Sequence, residues 1–538
     1  MNNRFNIILY VFIALFTLIS IRLFYLASLG YIKGSKVDNT QANKSRHDIL
    51  DRNGNVLAIN IPSVSVYLKP YEIKDKILAK NVIIKTLGLS EEQVDKMINS
   101  TAKYVFVKRN ITEQEELNIK YYGVIGINFE KDYKRFYPYN NLFSHLVGIT
   151  DVEQKGISGL ELNFNETLQK QPVSTSLDLR IQTILYDALF DAMLKNEAKG
   201  AYGMIVNPNT GEVLASVSLP DFNPNDRQNI NVDHMFNYTT QGLFEFGSIA
   251  KLFSVAFAID SKITDFTETY DVAKPIVVNP FIIVDFEHID RKITVPEILM
   301  YSSNIGTSLL MRKLGAERQQ KYLNNLNLLS ATSLEIPEKT KGLKPFKWDD
   351  LTTMTISYGY GAAMTQASFM NGFIALVNNG VYKPLSLLKV SSNDNVKSYQ
   401  VFSKDTSKQL NAMLRLTVAF GGGKRADIKG YGVAGKTGSS EKLLNGKYNF
   451  NKVLASFVAF FPYVNPQYAI IVTIDEPKRN AYNNYNILGG VLAAPTVGQV
   501  IDRLGSTFGI EKINDKVEGV SKTNVSTILK FIASEREK

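Results

Sequence analysis

Glu245-Phe246-Gly247-Ser248-Ile249-Ala250-Lys251 leads into an apolar-periodic run, Leu252, Phe253, Val255, Ala256, Phe257 and Ile259. The period predicts a helix with Ser248 in its first turn, so that Ser248 and Lys251 share one face and the amine approaches the hydroxyl. A capping serine beside a surface lysine would have the same spacing, but a lysine on so apolar a helix is then an uncompensated cost. A serine hydroxyl is no nucleophile at neutral pH, and a lysine takes its proton only if the amine pKa falls well below its reference of about 10.4. Burial and a second cation both push it that way. A helix start also offers a backbone N–H to a developing oxyanion.

Two later motifs complete this chemistry in chain order. In Ser302-Ser303-Asn304, Ser302 is a candidate proton relay toward a leaving amine, and Asn304 a group that orients Lys251 and holds a substrate amide. Lys436-Thr437-Gly438 lies in an extended Gly-rich segment, Tyr431 to Ser440, where Gly435 and Gly438 admit a ligand backbone. Lys436 is the second cation; Lys436 and Thr437 suit a substrate carboxylate, and the Ser439 N–H completes an oxyanion hole. The set describes covalent acyl transfer without histidine. No motif is specific alone: S-x-x-K recurs at Ser100, Ser386 and Ser439, and Ser391-Ser392-Asn393 repeats the middle one. Capping serines and a polar turn account for those copies.

Composition narrows the alternatives. The 538 residues exceed one ordinary core, and 45% hydrophobic content fills two or more domains. There is no cysteine, and His47, His145, His234 and His288 lack ligand spacing, so neither a metal nor a cofactor is expected. The net charge of +10 is spread along the chain without interleaved stacking aromatics, which suits an anionic membrane or polymer nearby and not nucleic acid.

Phe5 to Ser28 is apolar, with Arg22 its only charge, and is long enough for a retained transmembrane helix at 5–28 behind a cytoplasmic tail at 1–4. A polar linker (29–45) follows, then a mixed region at 46–173 with strands such as Ser63 to Tyr67 and helices such as Glu91 to Asn99. A second domain is expected at 174–511. It opens with Leu177, Ile181, Leu185, Leu189 and Met193 at helical spacing, then a hairpin turning at Pro208-Asn209-Thr210-Gly211. Strand signals return at Val453 to Phe461 and Tyr468 to Ile474, after a largely helical middle (Ile249 to Ser330, Leu351 to Asn378). Strands at both ends of that middle imply an α/β (α+β) domain whose sheet is covered by helices. The tail at 512–538 reads as a surface helix or loose end.

With these residues assembled, the chain resembles the penicillin-binding proteins, specifically the class B, division-type D,D-transpeptidases. Arg46-His47-Asp48-Ile49-Leu50-Asp51-Arg52-Asn53-Gly54 is similar to the segment after that family's membrane anchor. Arg135, Tyr137-Pro138, His145 to Gly148 and Gly156 to Glu161 resemble its pedestal motifs, and Asn207 to Glu212 its opening hairpin. Thr294 to Leu299 and Gly438 to Lys442 are similar to the division type. Phe246 stands where proline is usual, Ser439 where threonine is, and His47 where glycine is. The resemblance implies a pedestal on a membrane anchor, carrying a serine β-lactamase-like transpeptidase domain with a five-stranded antiparallel sheet. It implies Ser248 acylated by a peptidoglycan stem peptide or a β-lactam, outside a bacterial inner membrane, beside a partner glycosyltransferase and division proteins. Two alternatives stay open: a D,D-carboxypeptidase or β-lactamase that hydrolyses the same acyl-enzyme, and a non-catalytic division scaffold.

Overall fold

The structure, a computed structural model, describes residues 13–20, 22, 46–390, 397–444, 446–515, 517 and 519–537. Of the expected transmembrane segment only Ile13–Ser20 and Arg22 are described, as helix; the rest of it, the tail at 1–4 and the linker at 29–45 lie outside the described residues, as does Ser391-Ser392-Asn393. Among the described residues no helix is long and apolar enough to cross a membrane. The chain forms two compact units, one of Met1–His47 with Asn60–Lys134, the other of Asp48–Ile59 with Arg135–Lys538. The expected boundary at 173/174 falls inside the larger unit.

In the smaller unit, residues 64–68 of the strand Val56–Leu68 pair antiparallel with Val105–Ile111. Helices Lys76–Leu87, Glu91–Ile98 and Glu113–Tyr122 close a core around Val66, Leu68, Ile83, Val94 and Ile119. Ser90/Gln93 and Thr112/Glu115 form capping boxes that satisfy the first amides of two of these helices.

In the larger unit the elements that position the site are, in chain order, α1 (Leu179–Lys195), β1 (Gly200–Val206), β2 (Val213–Leu219), α2 (Lys251–Asp260), α3 (Val295–Met300), α4 (Asn304–Leu314), α5 (Gln366–Val377) and α6 (Lys404–Phe420). They continue with β3 (Ala434–Leu444), β4 (Lys447–Phe461), β5 (Tyr468–Asp475), α7 (Ala493–Phe508) and α8 (Val525–Glu537). The five strands form one sheet in the order β3-β4-β5-β1-β2, every neighbour antiparallel. Alternate residues face opposite layers. Tyr202, Met204, Val206, Val458 and Phe460 join the core with α2, α5 and α6, whereas Ala201, Ile205, Phe457, Ala459 and Ile474 join the core with α1 and α7. Helices therefore cover both faces, which explains why β1 and β2 are buried at every position. β3, with the Lys436 segment, is an edge strand.

Two expectations change. The stretch from Ile249 to Ser330 is not continuously helical: Ile276–Val278 pairs with Phe281–Ile283, and Thr269–Asp271 with Lys292–Thr294. Cis Asn279-Pro280 lies in the turn of the first pair. The C-terminal tail is no loose end either. α8 packs on α6 with Ile528 and Ile532 fully buried, and Asp515 accepts the Gly430 N–H at 2.6 Å while its carbonyl accepts from Arg415 at 3.0 Å. The packed face of α8 is Ile528, Ile532 and the half-buried Phe531, with Glu535 buried beyond them, a stripe too short to stand out beside the charged end of the helix.

Ile528→Ala is accordingly expected to lower stability by about 2–5 kcal/mol, the range for emptying a packed aliphatic site. Lys530→Ala, on the exposed face of the same helix, should stay within about 0.5 kcal/mol of the parent. Urea denaturation midpoints of the two variants check this.

Candidate active site

Three separate segments meet at Ser248. Gly247–Ala250 forms a 3-10 turn that runs directly into α2, so the serine sits one turn ahead of the α-helix expected to start there. β3 passes against this turn so closely that a Cβ on Gly438 would lie 2.7 Å from the Phe246 carbonyl and 3.1 Å from the Ile249 nitrogen. From the other side Gly359, at φ +94°, accepts the Gly247 N–H at 3.2 Å, and a Cβ there would lie 2.1 Å from the Gly247 carbonyl. Both glycines are required by the approach of backbone to backbone.

Ser302 occupies the joint between α3 and α4. Its neighbour Ser303 caps α4, accepting the Gly306 N–H at 2.8 Å and donating to Asp285 at 2.7 Å. The helix-capping role thus belongs to Ser303, and Ser302 is left for the site. Turning the chain between the helices holds Ser302 at φ +58°, a conformation that costs a non-glycine residue about 1–3 kcal/mol and is sustained by the packing on either side.

Two amines converge on its hydroxyl. Lys251 Nζ donates to Ser302 Oγ at 3.2 Å and to the Ser302 carbonyl, while Lys436 Nζ donates to Ser302 Oγ at 3.0 Å and to the Thr437 carbonyl at 3.1 Å. Lys251 is fully buried and Lys436 is 3% exposed. Burial, and then the charge of Lys436, drive the Lys251 pKa well below its ordinary value, with Asp285 opposing. Burial alone pushes Lys436 down to about 7.

The remaining expected residues border one groove of roughly 860 Å³. Ser248, Ser302, Asn304, Lys436, Thr437, Gly438 and Ser439 all line it. Ser439 Oγ accepts the Gly489 N–H at 2.9 Å, and Asn304 Nδ2 donates to the Val284 carbonyl at 2.7 Å; no hydrogen bond joins Asn304 to Lys251 among the described residues. Of the other S-x-x-K serines, Ser439 lies on strand β3 in the groove and caps no helix, whereas Ser100 Oγ accepts the Ala102 N–H in the smaller unit and Ser386 donates to Glu335.

A family model described as the penicillin binding protein transpeptidase domain matches residues 201–501, and one described as the penicillin-binding protein dimerisation domain matches residues 41–176. The chain belongs to the penicillin-binding proteins. The probable peptidoglycan D,D-transpeptidase FtsI of Caulobacter vibrioides is 30% identical over 489 residues, covering 88% of this chain and 83% of the relative. The probable peptidoglycan D,D-transpeptidase PenA of Neisseria gonorrhoeae is 29% identical, covering 97% and 96%. The crystal structure of penicillin binding protein 3 from Mycobacterium tuberculosis, complexed with aztreonam, superposes with a TM-score of 0.69 at 22% identity, over 87% of this chain and 97% of that one; it shares the fold.

Within this penicillin-binding protein several groove residues carry no motif. Tyr360 follows Gly359, and Lys522 of the tail lies 5.0 Å over the Tyr301 ring; Asp285, behind the groove, reaches Ser303 from a loop. Only Glu441 had a readable signal, since it continues the alternation Thr437, Ser439 along β3.

Because an unfolded lysine keeps a proton up to about pH 10.4 while folded Lys436 releases it near 7, the unfolded state binds more protons between these values. The contribution of Lys436 to stability is therefore present above pH 10.4 and lost as pH falls toward 7. Lys436→Met, which replaces the amine by an apolar group of similar length, should be more stable than the parent at pH 7 and show a flatter rise in stability from pH 7 to pH 9. Urea unfolding at both pH values checks this.

Proposed function

We propose that the protein is a serine-type D,D-transpeptidase that cross-links peptidoglycan stem peptides in septal wall synthesis, and that β-lactams acylate the same serine. The observation that carries the reading is the convergence of the Lys251 and Lys436 amines on Ser302 Oγ, in the groove that Ser248 lines. Lys251, held neutral by burial, takes the Ser248 proton as Oγ attacks the carbonyl of the penultimate D-Ala. The proton passes through Ser302 Oγ to the departing D-Ala amine. An amine of a neighbouring stem then attacks the acyl-enzyme, returning Ser248 Oγ to its hydroxyl form and leaving the cross-link.

Lys436, Thr437 and Ser439 receive the terminal carboxylate. With a pKa near 7 Lys436 is only partly charged in the free enzyme, and an arriving carboxylate draws it to the ammonium form. Asn304 holds the substrate amide, and Gly438 lets the substrate backbone approach. The Ser439 N–H and the turn at Ser248 face the oxyanion.

In this reading residues 5–28 anchor the protein once in the bacterial cytoplasmic membrane, with the catalytic domain outside. Residues 46–173 form the pedestal domain and 174–511 the transpeptidase domain. A partner glycosyltransferase and division proteins dock on the molecule.

Ser248→Ala should abolish covalent labelling by a fluorescent penicillin in a folded protein, whereas Ser100→Ala and Ser386→Ala keep the label; label retained on the Ser248 variant, mapped by peptide mass, moves the nucleophile elsewhere. Lys251→Arg keeps a cation that cannot deprotonate and should slow acylation about 10²–10⁴-fold. Lys436→Arg, which keeps the charge, should be the milder change. Acylation rates of both variants against pH decide between the two roles.

A further inference from the structure

We propose that Glu441 is the groove residue that takes the ammonium group of the diamino residue of a stem peptide, with Tyr360 positioning its carboxylate. This rests on the transpeptidase reading and names a specificity determinant within it.

Glu441 stands on β3, in the register that faces the groove: Thr437, Ser439 and Glu441 alternate along the strand, lie opposite Phe457, Ala455 and Val453 of β4, and all three line the groove. The register of β3 on β4 shifts immediately after Glu441, so that Lys442 pairs with Asn449. A bulge of this kind re-aims side chains, and here it parts two adjacent charges. Lys442 turns to Asp475 at 2.6 Å and Glu476 at 2.9 Å. Glu441 is left on the groove side, where it accepts the Tyr360 hydroxyl and where no ion pair among the described residues takes up its charge.

Glu287, from the segment after Asp285, also lines the groove but does not follow Thr437 and Ser439 along β3; Glu245, beside the nucleophile turn, is already committed. Glu245 accepts the Gly361 N–H at 2.6 Å and the Tyr448 hydroxyl at 3.0 Å, and its burial raises its pKa. The Tyr360–Glu441 pair also brackets the nucleophile. Tyr360 follows the Gly359 carbonyl that holds the Gly247 N–H, and Glu441 lies two residues beyond Ser439, whose carbonyl a Cβ on Gly247 would approach to 3.0 Å.

Thr437 and Glu441 are four residues apart on β3, about 14 Å. Beside Thr437 the groove is cationic, with Lys436, Lys424 and Arg425 on its lining. A ligand whose carboxylate sits at that end meets the opposite charge at Glu441, several residues along an extended peptide. A primary ammonium is the complement, supplied by the donor stem itself or by the incoming acceptor stem.

The test uses the full chain, a pentapeptide donor with its side-chain amine free or acetylated, and a tripeptide acceptor carrying the diamino residue. Donor KM, acceptor concentration for half-maximal cross-linking and acceptor-free hydrolysis are measured, with fluorescent penicillin titrating the competent sites. Glu441→Gln should raise one of the two concentrations about 10–100-fold, the loss expected for one charge-assisted hydrogen bond. Glu441→Asp should recover part of it, and Tyr360→Phe should move the same parameter in the same direction by less. A rise in donor KM that vanishes with the acetylated donor assigns the donor ammonium; a rise confined to the acceptor assigns the acceptor. Both concentrations unchanged in Glu441→Gln overturns the proposal, as does a fall in acceptor-free hydrolysis at saturating donor, which would make Glu441 a base for water. A parent that penicillin labels but that forms no cross-link overturns the transpeptidase reading instead.

Discussion

The site depends on keeping two lysine amines dry. An ammonium in water holds its proton far above neutral pH, and only desolvation, helped by a second positive charge, brings a lysine to the state in which it accepts one. Lys251 meets both conditions because α2 is apolar on every side and Lys436 reaches the same hydroxyl from β3. The helical layers on both faces of the sheet and the tight contact of β3 with the Ser248 turn exclude the water that would otherwise restore ordinary lysines.

Such an arrangement opposes stability. Two buried amines, a serine held at positive φ and polar atoms facing an open groove are each unfavourable for folding, and they are tolerated because the large cores of the same unit hold them in place. Asp285 links this support to the chemistry: it accepts from Ser303 and from the Ile305 N–H, fixing the start of α4, while its charge limits the fall of the Lys251 pKa. The α8 tail has a similar place in the fold, packing on α6 and carrying Lys522 toward Tyr301 at the groove.

Much of this was legible without coordinates. Ser248, Lys251, Ser302 and Lys436 are separable from their duplicates because the apolar run after Ser248 and the glycines around Lys436 are local properties of sequence. The paired strands at Gly200–Val206 and Val213–Leu219, the late strands and the helix at Leu179–Lys195 follow from periodicity for the same reason. The two short strand pairs between Thr269 and Thr294 were missed, since three-residue strands are too short to establish a period. The buried face of α8 was missed because Ile528, Phe531 and Ile532 make a short stripe next to a charged C-terminal end, which looks like any surface helix.

What the sequence by itself determined is the inventory and the order: a serine and lysine on one turn, a second serine at a helix joint, a third motif on an extended segment, and strands at either end of a helical middle. Tertiary structure alone decided which atoms meet. That the Lys251 and Lys436 amines meet on Ser302, that Lys436 is desolvated to a pKa near 7, and that Lys442 is drawn into an ion pair while Glu441 faces the groove are outcomes of contacts between segments tens to hundreds of residues apart. Desolvation and ion pairing depend on distance in space, and spacing along a chain reports that distance only within a single helix or strand.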